Sequence, residues 1–426
     1  MNSKHLGLLM AGLLAFANVG TSVVLAADKI YYVSTAGSDD NSGAFGQPFR
    51  TINKGVGVLK PGDTLYIRRG TYTEALRDVI PSGTSWKSPV TVAAYPGEEV
   101  TLRPGSGEYV IKIQDNNPAY IIVDRLILDG AGTKAAAVFI ATANRPLTVP
   151  RHIRLINCEI KNAREQGIMV YSSPANARSH QADYNEFINL KVHDIGRDKS
   201  NHGFYINTSH NLIDHCEVWK VHGIGIQIYK TKGRNGLNCN DNTIRCCKIH
   251  DTGLDTSDVT AGIVITVGNG NLVCNNLIWN NYNGVQIDTG ASQTKVYNNT
   301  ICKSHGDAGI RNGYPNPPGA RSTIILNNVL YQNKNSNKIL DYGRDTFADY
   351  NLIGNTDPKF MNAAAHDFHL QADSPAIDAG ATLREVTTDY EEVQRPQGKA
   401  YDMGAYEYGS PAPPKPGETR KRRGKP

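Results

Sequence analysis

Between about residues 150 and 340 one pattern of apolar and polar positions recurs. Short runs of alternating apolar and polar residues end in a phrase such as Ile156-Asn157-Cys158-Glu159-Ile160. It returns as Ile188-Asn189-Leu190-Lys191-Val192, Asp214-His215-Cys216-Glu217-Val218 and Arg245-Cys246-Cys247-Lys248-Ile249, and three more times, ending at Ile278, Ile301 and Leu330. The closing aliphatic falls about every 28 residues, a period that signals a solenoid. A second phrase lies between these copies, a glycine followed by alternation, as in Gly167-Ile168-Met169-Val170, Gly203-Phe204-Tyr205-Ile206 and Gly284-Val285-Gln286-Ile287. The two-residue period and the β-branched content predict strands, and no helical period separates them. One such unit cannot bury its apolar face, whereas stacked units can. The pattern therefore predicts an all-β fold, a parallel β-solenoid with coils about 4.8 Å apart. An antiparallel sandwich is the rival, but its turns would come about every 8 to 12 residues without the longer echo.

Alternation also assigns rows. Cys158, Leu190, Cys216, Cys247, Asn276, Asn299 and Asn328 occupy one inward position, so a row of thiols passes into a ladder of asparagines able to hydrogen-bond coil to coil. The seven cysteines mostly follow the repeats, contain no pair of CxxC motifs, and read as small buried hydrophobes rather than zinc ligands. One residue past each closing aliphatic stands an outward row, His193, Trp219, His250, Trp279, Cys302 and Tyr331, for which packing or cover is the favoured reading over sugar stacking.

The ends depart from the pattern. Residues 1–27 carry Lys4, an apolar run from Leu6 to Phe16 and Val24-Leu25-Ala26-Ala27, the layout of a secretory signal. The expectation is a secreted protein, extracellular or periplasmic, and no later stretch is apolar enough to predict membrane insertion. Residues 28–409 are expected to form one domain, with an N-terminal cap over 28–75 and a closing segment over 345–409. Residues 410–426 are expected to form a disordered, Pro-rich basic tail. That tail holds six Lys or Arg against one Glu, which equals the whole net charge of +5. The body therefore gives no support to a nucleic-acid partner, and any attraction for an acidic polymer must come from a local cluster of cations.

Motifs outside the repeats sharpen the fold. Tyr31-Tyr32-Val33-Ser34-Thr35-Ala36-Gly37-Ser38-Asp39-Asp40-Asn41-Ser42-Gly43, Pro48-Phe49-Arg50-Thr51-Ile52 and Lys60-Pro61-Gly62-Asp63-Thr64-Leu65 resemble the opening segment of the pectate-lyase-like superfamily of right-handed parallel β-helix proteins. Ser374-Pro375-Ala376-Ile377-Asp378-Ala379-Gly380 and Asp402-Met403-Gly404-Ala405-Tyr406-Glu407 resemble its closing cap. The resemblance implies a short capping helix over Thr51 to Leu59 and work on polysaccharides. It covers lyases on uronic-acid polymers, some hydrolases and epimerases, and non-catalytic glycan-binding or surface proteins. In its lyases the base is a Lys or Arg beside bound calcium, or a Tyr with a His. Calcium is accordingly the one candidate cofactor, an acidic polysaccharide the expected partner, and a monomer the expected state. The aspartate pairs of polygalacturonase-type hydrolases do not occur in the central coils, and the Asp-Pro-His-Asp motif of alginate epimerases does not occur at all.

A lyase needs a base and groups that stabilise an enolate-like state. The outward positions after each glycine are Met169 and Tyr171, Tyr205 and Asn207, Gln227 and Tyr229, Val264 and Thr266, Gln286 and Asp288, and Arg311. His202 and His222 each precede a glycine and are expected to stack near this face. Lys230, Lys232 and Arg234 follow it in a loop, and Arg197 and Lys199 stand in another. The preferred acid/base pair is Tyr205 with His202, with Lys230 or Lys220 as the alternative base. Gln227, Tyr229, Arg234 and Arg311 would hold sugar rings and carboxylates. The plain alternative is an ordinary polar surface. Asp251, Asp255 and Asp258 in one loop, and Asp194 with Asp198 in another, are the acidic groups a calcium ion would draw on, although turn formation is their commoner use.

Overall fold

Three long parallel sheets run the length of the molecule, one of twelve strands and two of ten. The computed structural model describes residues 28–144, 147–172, 181–229, 238–254, 260–315, 319–334 and 338–409. Each coil gives one strand to each sheet in turn, as with Arg151–Ile156 (sheet I), Glu159–Lys161 (sheet II) and Ile168–Tyr171 (sheet III). Every pairing within these sheets is with the neighbouring coil, for example Ile156↔Ile188, Ile160↔Val192 and Val170↔Ile206. The chain is a parallel β-helix, as the repeat predicts. No described helix is long and apolar enough to cross a membrane.

The recurring phrase is a corner. From the strand Ala119–Asp124 onward, the residue after each sheet I strand takes the left-handed conformation, with φ of 56° at Asn157, 53° at Asn189, 54° at Asn275 and 51° at Asn298. Asparagine tolerates that conformation better than other side chains that carry a Cβ, which is why the phrase so often contains it. The next residue points inward. Asn276, Asn299 and Asn328 are fully buried, and each Oδ1 accepts from both the backbone N–H and the Nδ2 of the residue one coil earlier where that residue is asparagine. The partners sit 23 to 29 residues apart in sequence. A second ladder, Asn185-Asn211-Asn242-Asn271, joins sheet III to sheet I in the same way. The closing aliphatics Ile160, Val192, Val218, Ile249, Ile278, Ile301 and Leu330 form a continuous buried stack.

The glycine that opens the second phrase has a steric cause. Gly167, Gly203, Gly225, Gly262, Gly284 and Gly309 lie over one another. A Cβ on Gly203 would meet the Gly225 carbonyl oxygen at 2.6 Å, and one on Gly284 would meet the Gly309 oxygen at 2.3 Å. The coils approach too closely there for any side chain.

Both ends are closed. The expected helix is present but short, Ile52–Val56, with Thr51 Oγ1 accepting from the Lys54 N–H. After the last sheet I strand, Phe347–Asp349, the chain makes the antiparallel pair Phe360–Asn362 and Asp367–Leu370. It then turns back along the corner between sheets I and II, where Asn275, Asn298 and Asn327 donate to the carbonyls of Thr388, Asp402 and Ala381. Arg395 and Glu407 are fully buried in this segment and pair at 2.5 Å.

The outward row of sheet II is a ladder of rings. His193 lies on Trp219 at 4.2 Å, Trp219 on His250 at 6.0 Å and His250 on Trp279 at 4.3 Å, all within 16° of parallel. His366 and Phe368 of the closing segment cover its far end. These rings pack on one another, and Trp279 and Cys302 are buried. A comparable stack lies where the chain enters sheet I, Tyr120 and His152 at the starts of their strands and Tyr184 and His210 just before theirs.

Candidate functional site

Sheet III carries the candidate residues in one row. The register Met169↔Tyr205↔Gln227↔Val264↔Gln286↔Arg311 places each on the next coil, as alternation after the glycines predicts. The row is much less open than a surface groove. Tyr205 is half-buried, whereas Gln227 and Arg311 are 8% exposed and Val264 and Gln286 only 1%. Ile224, Ala261 and Val264 form a small apolar cluster of their own beside it.

Two expectations need correction. His202 and His222 do not occupy level positions on adjacent coils. The glycine that opposes Gly203 is Gly225, not Gly223, because Phe204 N–H bonds to the Gly225 carbonyl, so Ile224 occupies the position level with His202. Asn207 does not face outward. It is fully buried, and its Oδ1 accepts from the Ser172 N–H, closing the turn that leaves sheet III.

His202 lies instead on Tyr205 of its own coil, ring centroids 5.7 Å apart and planes 8° from parallel. Tyr229, one coil on, leans against Tyr205 at 5.6 Å. His202 is buried, and that burial pushes its pKa down to about 4, so the imidazole is neutral near pH 7. Its Nδ1 accepts from the Ile224 N–H at 3.4 Å, which leaves the ring proton on Nε2. Because His202 titrates far below an unfolded histidine, the native state binds fewer protons than the unfolded chain between these two values. Stability is therefore expected to fall by about 3 kcal/mol as the pH drops from 6.5 to about 4. Denaturant midpoints of wild type and His202→Gln across that range check this: the variant should lack that part of the slope, and parallel profiles would refute it.

Arg311 is held from three sides. Nη1 pairs with Asp307 at 2.6 Å, Nε donates to the Gly313 carbonyl at 3.1 Å, and the guanidinium lies 3.8 Å over the Tyr314 ring. Gln286 Nε2 donates to Tyr314 Oη and to Asp288, whose carboxyl is raised above its usual range by burial. Thus Asp307 and Tyr314 join the face, and sequence reasoning passes over both because they lie in loops beyond the strands. Three buried polar atoms here, Asn207 Nδ2, Thr266 Oγ1 and Gln286 Oε1, have no hydrogen-bond partner among the described residues. Buried polar groups are usually paired, so Thr266 Oγ1 and Gln286 Oε1 are exceptions on this strand row, whereas Asn207 Nδ2 lies inside the turn.

Lys220 is mostly exposed at the end of its sheet II strand and pairs with Asp194 at 3.7 Å. His222 follows on the connection to sheet III, its N–H bonded to the Ile195 carbonyl. Lys230 and Arg234 lie outside the described residues, as do Asp255 and Asp258. Asp194 and Asp251 lie in sheet II strands rather than in the expected loops, and the described acids are each engaged: Asp194 with His193, Asp251 with His250, and Asp198 with the Ser200 N–H. Calcium takes about six to eight oxygens. Among the described residues no three carboxylates converge, and the one converging group, Asp214, His215 and Cys246, within 4.8 Å, lies away from this face. There Asp214 already holds His215 and Arg245, and burial pushes the Cys246 thiol well up. The described residues do not fit a calcium cage.

Comparison with known proteins adds the following. The profile of the family described as "Pel9A-like, right handed beta helix region" matches residues 31–284. The uncharacterized protein YwoF of Bacillus subtilis (strain 168) is 38% identical over 121 residues, 26% of this chain and 25% of that protein. The pectate lyase PEL9 of Emericella nidulans is 39% identical over 79 residues, 18% of this chain and 19% of that protein. The chain thus aligns with only a quarter or less of these curated relatives. Among solved structures, pectate lyase Pel9A superposes with a TM-score of 0.63 at 18% identity, covering 90% of this chain and 97% of that one. XylC in complex with xylose gives 0.59 at 12% identity, covering 89% and 99%. A GH136 lacto-N-biosidase from Eubacterium ramulus gives 0.54 at 15% identity, covering 77% and 68%. At these identities the superpositions speak for the fold.

Proposed function

The chain belongs to the Pel9A-like right-handed β-helix family, and from that premise we propose that it is a secreted lyase cleaving an acidic, uronic-acid-containing polysaccharide by β-elimination. The observation that carries the reading is the Tyr205–His202 stack on sheet III, with its imidazole kept neutral, in one row with Gln227, Gln286 and Arg311. In β-elimination a base removes the proton on C5 of the uronate. The electron pair left behind forms the C4–C5 double bond, the C4–O bond breaks, and the departing oxygen is protonated. Tyr205 is assigned to the proton transfers at the sugar, and His202 positions it and donates from Nε2. Gln227, Tyr229 and Arg311 line the path on either side, where an amide, a ring and a guanidinium suit sugar hydroxyls, a pyranose face and a carboxylate. Lys230 and Arg234 remain candidates for the same face, with Lys220 and His222 at its edge.

Incubation with pectate, alginate and glycosaminoglycans, with and without added calcium, tests the reading through the ultraviolet absorbance of the unsaturated product. Absence of that product from every polyuronate would overturn it. A second reading, glycoside hydrolysis, draws on Asp288, whose raised carboxyl beside Gln286 suits a general acid. It gives new reducing ends without unsaturation. The non-catalytic alternative gives glycan retention and no product.

A further inference from the structure

A cleft lies away from sheet III, along the corner between sheets I and II, with a volume of roughly 340 Å³. It begins where the returning C-terminal segment stops covering that corner, and Tyr390 of that segment forms its end wall. Two parallel rows line it. One is the corner row of left-handed residues, including Asn157, Asn189 and His215. The Asn189 Nδ2 donates to Asn157 Oδ1, and Asn157 Nδ2 to Asp124. The other is the outward row of sheet II, in the register Glu159↔Lys191↔Glu217↔Lys248.

The charges of that row are not spent on each other. Glu159 is taken by Lys161 at 2.5 Å and by His193, and Glu217 lies 3.4 Å from His250 Nε2; these partners belong to the next outward positions of sheet II. The ring ladder holds both imidazoles in place. Lys191 and Lys248 make no ion pair among the described residues; the Glu217 carboxyl is held below its usual range first by its hydrogen bond with His250, with smaller contributions from the charges of Lys248 and Lys191. The cleft therefore presents two ammonium groups two coils apart, roughly 10 Å in backbone spacing, alongside a row of amides with the same repeat.

We infer that this cleft is a second, non-catalytic binding site for an anionic oligosaccharide lying along the helix axis. A regular lattice of cations and amides fits a ligand that itself repeats, with carboxylates or sulfates for Lys191 and Lys248 and hydroxyls for Asn157, Asn189 and His215. A lone phosphate would use one lysine, whereas a linear anionic polymer uses both. The choice of an acidic glycan rests on the function proposed above, but the site is separate from sheet III, so it can fail or stand independently of the chemistry there. A cleft of this kind would keep the enzyme on its polymer between cleavages.

The test is affinity electrophoresis of the full chain through gels containing polygalacturonate, alginate or chondroitin sulfate, with dextran as the neutral control. It is run in the Tyr205→Phe background so that turnover does not remove the ligand. Lys191→Ala/Lys248→Ala is expected to weaken retention on at least one anionic gel about tenfold, in a salt-sensitive manner. Lys191→Arg/Lys248→Arg is expected to retain binding. Because both lysines are at the surface, unchanged melting of the double variant serves as the fold control. In the Tyr205 parent, the alanine pair is expected to leave turnover of short soluble oligomers unchanged. Equal retention of the alanine pair and its background on every gel, or no retention of either, overturns the second site. Loss of unsaturated product with retention intact would instead count against the lyase reading alone.

Discussion

Asn299→Ala is expected to destabilise the protein by about 4 kcal/mol, more than most single substitutions in the coils. Its Oδ1 accepts from the backbone N–H and the Nδ2 of Asn276, and its own Nδ2 donates to the Val273 carbonyl and to Asn328 Oδ1. Alanine removes all four bonds at a site no water reaches, leaving two donors and a carbonyl unpaired. Each such group costs about 1 to 3 kcal/mol. Asn299→Asp keeps the acceptor but loses the donor and is expected to lie in between or lower, since it also buries a charge. The control is Asn189→Gly at a corner position several coils earlier, where the side chain makes one exposed bond to Asn157 and glycine adopts the left-handed conformation freely. It is expected to change stability by less than about 1 kcal/mol. Urea denaturation with the slope checked for constancy measures all three, and a loss under 1 kcal/mol for Asn299→Ala would mean the ladder is not what ties these coils together.

Tyr205→Phe is expected to lower the turnover of an acidic polysaccharide by about 10² to 10⁴-fold, the range for removing a positioned proton-transfer group. The substitution deletes one hydroxyl and keeps the ring that stacks on His202 and Tyr229, so melting should be preserved. The effect should fall on kcat rather than KM, because the hydroxyl acts in the transition state. His202→Gln is expected to lower kcat too, but less, since it acts by holding Tyr205 and donating from Nε2. A Tyr205→Phe variant with full activity would send the search for the base to Lys230, in the loop that follows this face, or to Asp288 if the products carry new reducing ends.

The repeat was legible because its causes are local. Left-handed corners favour asparagine, stacked glycines leave no room for a Cβ, and strands filling a narrow core must alternate. Each leaves its trace at a constant place in every coil. The candidate row was legible for the same reason: once Gly203 and Gly284 are placed, Tyr205 and Gln286 follow by alternation. The errors arose where alternation meets a connection. Asn207 has the parity of an outward residue, yet it is drawn in by the Ser172 N–H. His222 stands before a glycine, yet that glycine is not the one that meets Gly203.

The fold class, the inward and outward rows, the asparagine ladder and the row of candidate residues on sheet III can all be read from the chain alone, since each repeats with the coil. How far that row is buried, the neutrality of His202, the Asp307 and Tyr314 clamp on Arg311 and the cleft at Lys191 and Lys248 emerge on folding. Those depend on which residues of separate coils, loops and the returning C-terminal segment come within a few ångströms of each other. Such encounters do not repeat with the coil, so no periodicity in the sequence records them.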